Sequence, residues 1–323
     1  MPMRRTLLTL TPALALAATA PALAAQESFE AFLRGVAREA EGQGVSPALL
    51  RRAFANLSPN QRVLELDRRQ AEFTLSWEGY RDGRLVPQRI GQGRRMAEQH
   101  AELLQRISAR YAVSPRIILA VWGLETNYGG FTGSFSTIQA LATLAWDGRR
   151  SAFFRRELLA ALQILEQGDV TPEKMRGSHA GAMGHPQFMP TSFQALAVDF
   201  DGDGRRDIWD SRADALASIA NYLAHHGWRG DERWGREVTL PPGFDTSQAG
   251  RDTRRPLRDW LSQGIAAADG TELPPLEMET SILLPGGPAG QAFAVYPNFH
   301  VIRRYNPSDF YALAIGLLSD QVG

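Results

Sequence analysis

Glu125 closes the run Ser114-Pro-Arg-Ile-Ile-Leu-Ala-Val-Trp-Gly-Leu-Glu125, and its placement suits a general acid. Ser114 is a natural N-cap and Pro115 fits the first helical position, so a helix should start there. Ile117, Ile118, Ala120, Val121 and Leu124 make it apolar on most faces, and Gly129-Gly130 should stop it. A carboxyl group beside Trp122 and Tyr128 at the lip of a core would be partly desolvated. Desolvation favours the protonated form and keeps a proton available near neutral pH. A last-turn glutamate pointing into water is the plainer alternative, and this segment alone does not separate the two.

Three further segments carry polar groups in suggestive patterns. From Gly177 to Ser192 glycine and proline recur too often for a long regular element. That makes a structured loop, either a tight connection or a cleft wall on which Ser178 and Gln187 could hydrogen-bond a sugar or N-acetyl group. Asp199, Asp201, Asp203 and Gly204 occupy positions 1, 3, 5 and 6 of a calcium-type loop, where alternate carboxylates converge and glycine permits the turn. Arg205 would offer its carbonyl and Asp207 would bind through water. Asp210 stands at position 12 in place of the usual glutamate, and Asp214 is the other residue able to close the site. In Tyr296 to Asn306, aromatic rings and amides suit either a carbohydrate face or core packing.

These motifs need a scaffold, and the chain can supply a mainly helical one. Helical patterns cover 28–58 and 63–110, with breaks at Gly44 to Pro47 and Ser58-Pro59, and again Ser151 to Gln167 and Asp214 to His226. Thr171-Pro172 reads as another helix start, and Ser192 to Ala197 as a short helix. From about residue 230, prolines, glycines and short β-prone runs (Glu237 to Leu240, Ala292 to Tyr296) predict small strands. A closing helix is expected from Pro307 to Leu318. The class is thus mainly α (α+β), a helical core with a small β-containing lobe.

Residues 1–25 pair Arg4-Arg5 with an apolar stretch and Ala22-Leu-Ala24, the pattern of a secretory signal peptide cleaved near Ala24 or Ala25. The remainder, 26–323, is read as a 26–110 helical part, a 111–230 core with the acidic loop, and a 231–323 lobe with its closing helix. Removing the leader's two arginines leaves 33 basic against 35 acidic residues, a net charge of −2, which gives no support for nucleic-acid binding. The sequence has no cysteine, which excludes a thiolate nucleophile, a disulfide framework and a lipid-modified N-terminal cysteine. No membrane span is expected, and the six histidines form no metal signature.

Taken in order, five segments resemble the lytic murein transglycosylase B family. They are Gly-Leu-Glu-Thr at 123–126, Gly-Ala-Met-Gly-x-Pro-Gln-Phe-Met-Pro at 181–190, and Ala-Val-Asp-Phe-x-Gly-Asp-Gly at 197–204. Ile-Ala-Asn-Tyr at 219–222 with His-Gly-Trp at 226–228, and Asn-Phe-x-x-Ile-x-Arg-Tyr-Asn at 298–306, complete the match. The resemblance implies a lysozyme-like core and non-hydrolytic cleavage of the β-1,4 MurNAc–GlcNAc bond of peptidoglycan, giving 1,6-anhydro products. It implies that Glu125 is the sole acid/base, that Ser178, Gln187 and Tyr222 position substrate or Glu125, and that Asn298, Phe299 and Tyr305 line the cleft. Arg149-Arg150 would contact the peptide stem or the lactyl carboxylate. No cofactor is implied for the chemistry, only a structural calcium on the acidic loop. The partner is the peptidoglycan glycan strand and the compartment periplasmic. A hydrolytic muramidase and a silent peptidoglycan-binding protein are the rivals.

Overall fold

A helix that is apolar almost all round has to be enclosed, and the fold is organised around the one that ends near Glu125. The computed structural model describes residues 27–323 except 71–74, 272 and 274–276. The expected signal peptide lies outside the described residues. In chain order the elements begin with α1 (Phe29–Gly42), α2 (Pro47–Ala53), α3 (Gln61–Gln70), α4 (Trp77–Arg84), α5 (Pro87–Gln99) and α6 (Ala101–Tyr111). Then come α7 (Pro115–Thr126), β1 (Phe135–Ser136), α8 (Thr137–Asp147), α9 (Ser151–Gln167), β2 (Arg176–Gly177), α10 (Pro190–Leu196) and α11 (Arg212–His225). The rest are β3 (Gly235–Thr239), β4 (Arg255–Pro256), α12 (Leu257–Leu261), β5 (Ala266–Ala267), β6 (Glu279–Leu283), β7 (Ala292–Val295), α13 (Pro297–Tyr305) and α14 (Asp309–Ser319).

Serine caps fix many of the starts. Ser28, Ser46, Ser76, Ser136, Ser211 and Ser308 each accept a backbone N–H in the first turn of the helix that follows, satisfying a donor that would otherwise have no partner. Two of the expected elements come out differently. After Thr171-Pro172 the chain makes only a turn, closed by Lys174 and Met175 N–H groups on the Thr171 carbonyl, because it must enter β2 at Arg176. The segment 297–305, read as an aromatic stretch, is a helix with Pro297 in its first turn.

Two large apolar cores meet across the molecule. One joins α1, α2, α3, α8 and α9 with Met175, Met183, Phe188 and Ile208. The other packs α6, α7, α11, α13 and α14 with Trp77, Phe293 and Val295, and the closing helix α14 seats against α7. Tyr305 packs against both. The lobe's antiparallel sheet runs β4-β6-β7-β3-β5, with Val295 opposite both Gly235 and Ser281, over a small core around Trp260 and Ile282. Beside α7, β1 pairs with β2 (Phe135 opposite Gly177) and ties the loop after α7 to the glycine-rich loop. Gly133 is required there, because it has φ 97° and a Cβ would collide with the Gly177 carbonyl.

Candidate active site

Glu125 occupies the last turn of α7, which stops earlier than its glycines suggest. Asn127 (φ 51°) and Tyr128 (φ 57°) are already left-handed, and the Asn127 N–H closes on the Gly123 carbonyl at 3.0 Å. Tyr128 then folds back over α7 and stacks edge-on against Trp122 with ring centres 5.6 Å apart. Gly123 makes this fit, since a Cβ there would lie 2.5 Å from the phenol ring. The Thr126 hydroxyl sits between the Trp122 carbonyl (3.2 Å) and the Gly129 N–H (3.1 Å), so the turn after Glu125 is held in one shape.

Glu125 itself is half-buried, and the Tyr311 phenol of α14 donates to its Oε1 at 2.6 Å. The N–H of Tyr311 is fixed by the Ser308 cap of α14 (3.3 Å), which aims the phenol. Burial pushes the Glu125 carboxyl up to about 7, while the Tyr311 hydrogen bond and the Arg84 guanidinium pull the other way. Arg84 lies over the Tyr80 ring at 5.3 Å, and Tyr80 packs on Phe310. The Tyr305 and Tyr311 phenols are both raised well above their ordinary value, first by burial and then by the Glu125 charge. The environment therefore keeps this carboxyl poised to give or take a proton near neutral pH.

The wall opposite comes from the glycine-rich loop. Gln187 is left-handed (φ 53°), and its amide nitrogen donates to the Thr132 carbonyl (3.0 Å) and the Gly184 carbonyl (2.8 Å). The loop is held from outside by the Tyr305 phenol, which donates to the Pro186 carbonyl at 2.6 Å. Tyr222 donates to the Arg304 carbonyl at 2.5 Å and stacks 4.7 Å from Tyr305, with Phe188 against both rings. Ser178 Oγ accepts from the Ala180 and Ala182 N–H groups (3.3 and 3.1 Å), shaping the turn it begins. Of the residues that the resemblance assigned to one site, Tyr222 packs on Tyr305, and Tyr305 reaches the Pro186 carbonyl beside Gln187 and feels the Glu125 charge.

A family model described as the transglycosylase SLT domain matches residues 28–320, nearly all of the described chain. The chain belongs to that family. The membrane-bound lytic murein transglycosylase B of Escherichia coli K12 is 37% identical over 256 residues, spanning 76% of this chain and 67% of the relative. SltB3 of Pseudomonas aeruginosa, solved in complex with NAG-anhNAM-pentapeptide, is 47% identical with a TM-score of 0.89, covering 91% of this chain and 79% of SltB3. Escherichia coli Slt35, solved in complex with calcium, is 31% identical with a TM-score of 0.77, covering 91% and 92%. The architecture is thus that of the lysozyme-like lytic transglycosylases.

Several expected residues of the transglycosylase have other engagements. Asn298 and Phe299, expected along the cleft, are fully buried instead. Asn298 accepts the Arg229 N–H (2.8 Å) and donates to the Glu232 carbonyl (2.7 Å), pinning the 229–232 turn, while Phe299 fills the core around α7. Their motif is matched because a buried amide and ring are needed to seat α13. Arg149 and Arg150 both close on Asp67 of α3 at 2.6 Å, a nearly buried carboxylate. This clamp holds α3 to the start of α9. Tyr80, Arg84 and Tyr311 escaped sequence reasoning. Tyr311 lies 186 positions from Glu125, and only its place at the start of an apolar helix hinted at burial.

In the acidic loop, Asp199, Asp201 and Asp203 present carboxylate oxygens within 4.8 Å of one another, a hard all-oxygen set that fits a cation such as calcium. Asp210 and Asp214 do not close this set. Asp210 pairs with Lys174 at 2.7 Å, and Arg205 places its guanidinium on Asp203 at 2.8 Å. Asp214 is fully buried and takes the N–H groups of Phe200, Asp201 and Asp207, so it braces the loop backbone. The loop bears on the catalytic region, because the His185 N–H donates to the Ile208 carbonyl at 3.0 Å.

Proposed function

We propose that Glu125 alone carries both proton transfers by which this lytic transglycosylase cleaves the β-1,4 MurNAc–GlcNAc bond of peptidoglycan. Protonated Glu125 donates to the glycosidic oxygen as the bond to C1 breaks. The resulting carboxylate then takes the proton of the muramic C6 hydroxyl as that oxygen bonds to C1. The product is a 1,6-anhydro ring, no water is consumed, and Glu125 is protonated again. The observation that carries this reading is a carboxyl with a pKa of about 7, enclosed at the end of α7 and hydrogen-bonded to Tyr311. Hydrolytic glycosidases of the usual kind need two carboxylates, about 5 to 9.5 Å apart. Gln187 and Tyr305 shape the cleft wall, Tyr222 supports it, and the Ser178 turn extends it.

The acidic loop is read as a calcium site that supports folding, in keeping with the calcium complex of Slt35. The leader in 1–25 directs export, and the periplasm is the compartment of action. No helix among the described residues is long and apolar enough to cross a membrane.

The test is mass spectrometry of muropeptides released from purified sacculi by the mature protein. Products ending in 1,6-anhydromuramic acid are expected, and Glu125→Gln should lower the rate by about 10²- to 10⁴-fold. Free reducing ends, heavier by one water, would replace the transglycosylase reading with a hydrolytic one.

A further inference from the structure

Phe131 stands out as an exposed phenyl side chain on the loop that follows the Glu125 turn. Only it (69% exposed) and Leu75 (55%) are large hydrophobic side chains left open among the described residues. A lone exposed apolar residue is ordinary on a protein surface, so exposure alone carries nothing. Its place and its fixation carry the argument. Phe131 follows Glu125 by six residues, and its N–H donates to the Thr126 carbonyl at 3.0 Å, one residue from the acid. Its other neighbour, Thr132, accepts the Gln187 amide at 3.0 Å. Asn127 is anchored to Gln92 of α5 in both directions (3.3 and 3.4 Å). Beyond Thr132, the Ser134 carbonyl accepts from Arg176 at 2.9 Å and Gly133 packs on the Gly177 backbone. The backbone of this loop is thus tied on one side to the turn after Glu125 and on the other to Gln187, and the Phe131 side chain stands open between those anchors.

We propose that Phe131 is a stacking platform for the apolar face of an amino-sugar ring of the glycan strand, a binding residue additional to the acid and the Gln187 wall. A pyranose ring has a face of C–H groups that a flat aromatic covers while its hydroxyls remain in water. An exposed phenyl also carries no polar handle to compete with them. Such a contact forms equally in ground state and transition state, so it acts on binding and not on the chemical step.

The inference rests on the glycan-cleaving reading above, and the experiment separates the two. Soluble GlcNAc–MurNAc oligosaccharides are titrated calorimetrically into the Glu125→Gln protein, alone and with Phe131→Ala, Phe131→Leu or Phe131→Trp added. The expected result is a Kd raised about tenfold by Phe131→Ala and nearly as much by Phe131→Leu, with Phe131→Trp at or below the parent value. In the active protein, Phe131→Ala should raise KM by about the same factor with kcat within about twofold and Tm unchanged. A Kd unaltered by Phe131→Ala, or fully restored by leucine, overturns the stacking role while leaving the transglycosylase reading intact. No binding by the Glu125→Gln protein itself would overturn the glycan reading and this inference with it.

Discussion

Glu125 should make the protein less stable as pH rises, and replacing it should remove that dependence. Burial lifts its carboxyl from an ordinary 4.5 to about 7. Below about pH 4 the folded and unfolded chains are both protonated at this site and it costs nothing. Between 4.5 and 7 the unfolded chain gives up the proton while the folded chain keeps it, so stability falls as pH rises. Above 7 both are ionised and the full cost remains. A rise of about 2.5 in pKa corresponds to about 3 kcal/mol, and because the residue is half-buried this is a ceiling. Glutamine has no titration, keeps the shape and still offers Oε1 to Tyr311. Urea unfolding of wild type and Glu125→Gln from pH 4 to 8 should therefore give curves that coincide at the acid end and separate by about 2 to 3 kcal/mol at pH 8. The inactive variant is the more stable one. A separation independent of pH, or a less stable Gln variant at pH 8, would refute the view that burial holds this proton.

Three further outcomes are expected. Tyr311→Phe removes a charge-assisted donor from the Glu125 carboxylate, so the alkaline limb of the kcat/KM profile should move up by about one pH unit; an unmoved limb would remove Tyr311 from the tuning of the acid. Asp67→Asn breaks both arginine pairs at a nearly buried carboxylate and should cost about 2 kcal/mol in urea unfolding while leaving that limb in place. Millimolar calcium should raise Tm, by about 3 kcal/mol of stabilisation at a hundred times Kd, and Asp201→Asn with Asp203→Asn should abolish the rise; a Tm equal in chelator and in calcium would exclude the site.

Local signals in the sequence were read well where they act locally. Ser114-Pro115 starts α7, Gly227 follows α11, and the β-prone runs at 237–240 and 292–296 lie on β3 and β7 with ends shifted by a residue or two. What failed depended on distant partners. Thr171-Pro172 has a helix-start pattern, but the pairing of β2 with β1 takes the chain elsewhere. Asn298 and Phe299 have the residue types of a sugar-binding face, and only the packing of α13 under the 229–232 turn makes them interior. Arg149 and Arg150 look free until α3 supplies Asp67 from over 80 positions away. The apolar run ending in Glu125 is a local pattern that left its burial open, and only the order of the five segments singled it out as the acid, whereas its contacts with Tyr311 and Arg84 had no local signal.

The dependence of Glu125 on Tyr311 has a bearing on timing. A growing polypeptide emerges from its N-terminus, and the acid is made long before residue 311. Until α14 exists and has docked beside α7, the carboxyl lacks its phenol and one side of its enclosure. A partly made or C-terminally clipped chain would hold a solvated glutamate of ordinary acidity. The enclosure of Glu125 thus awaits a helix made far downstream of it, and loosening α14 would undo that enclosure.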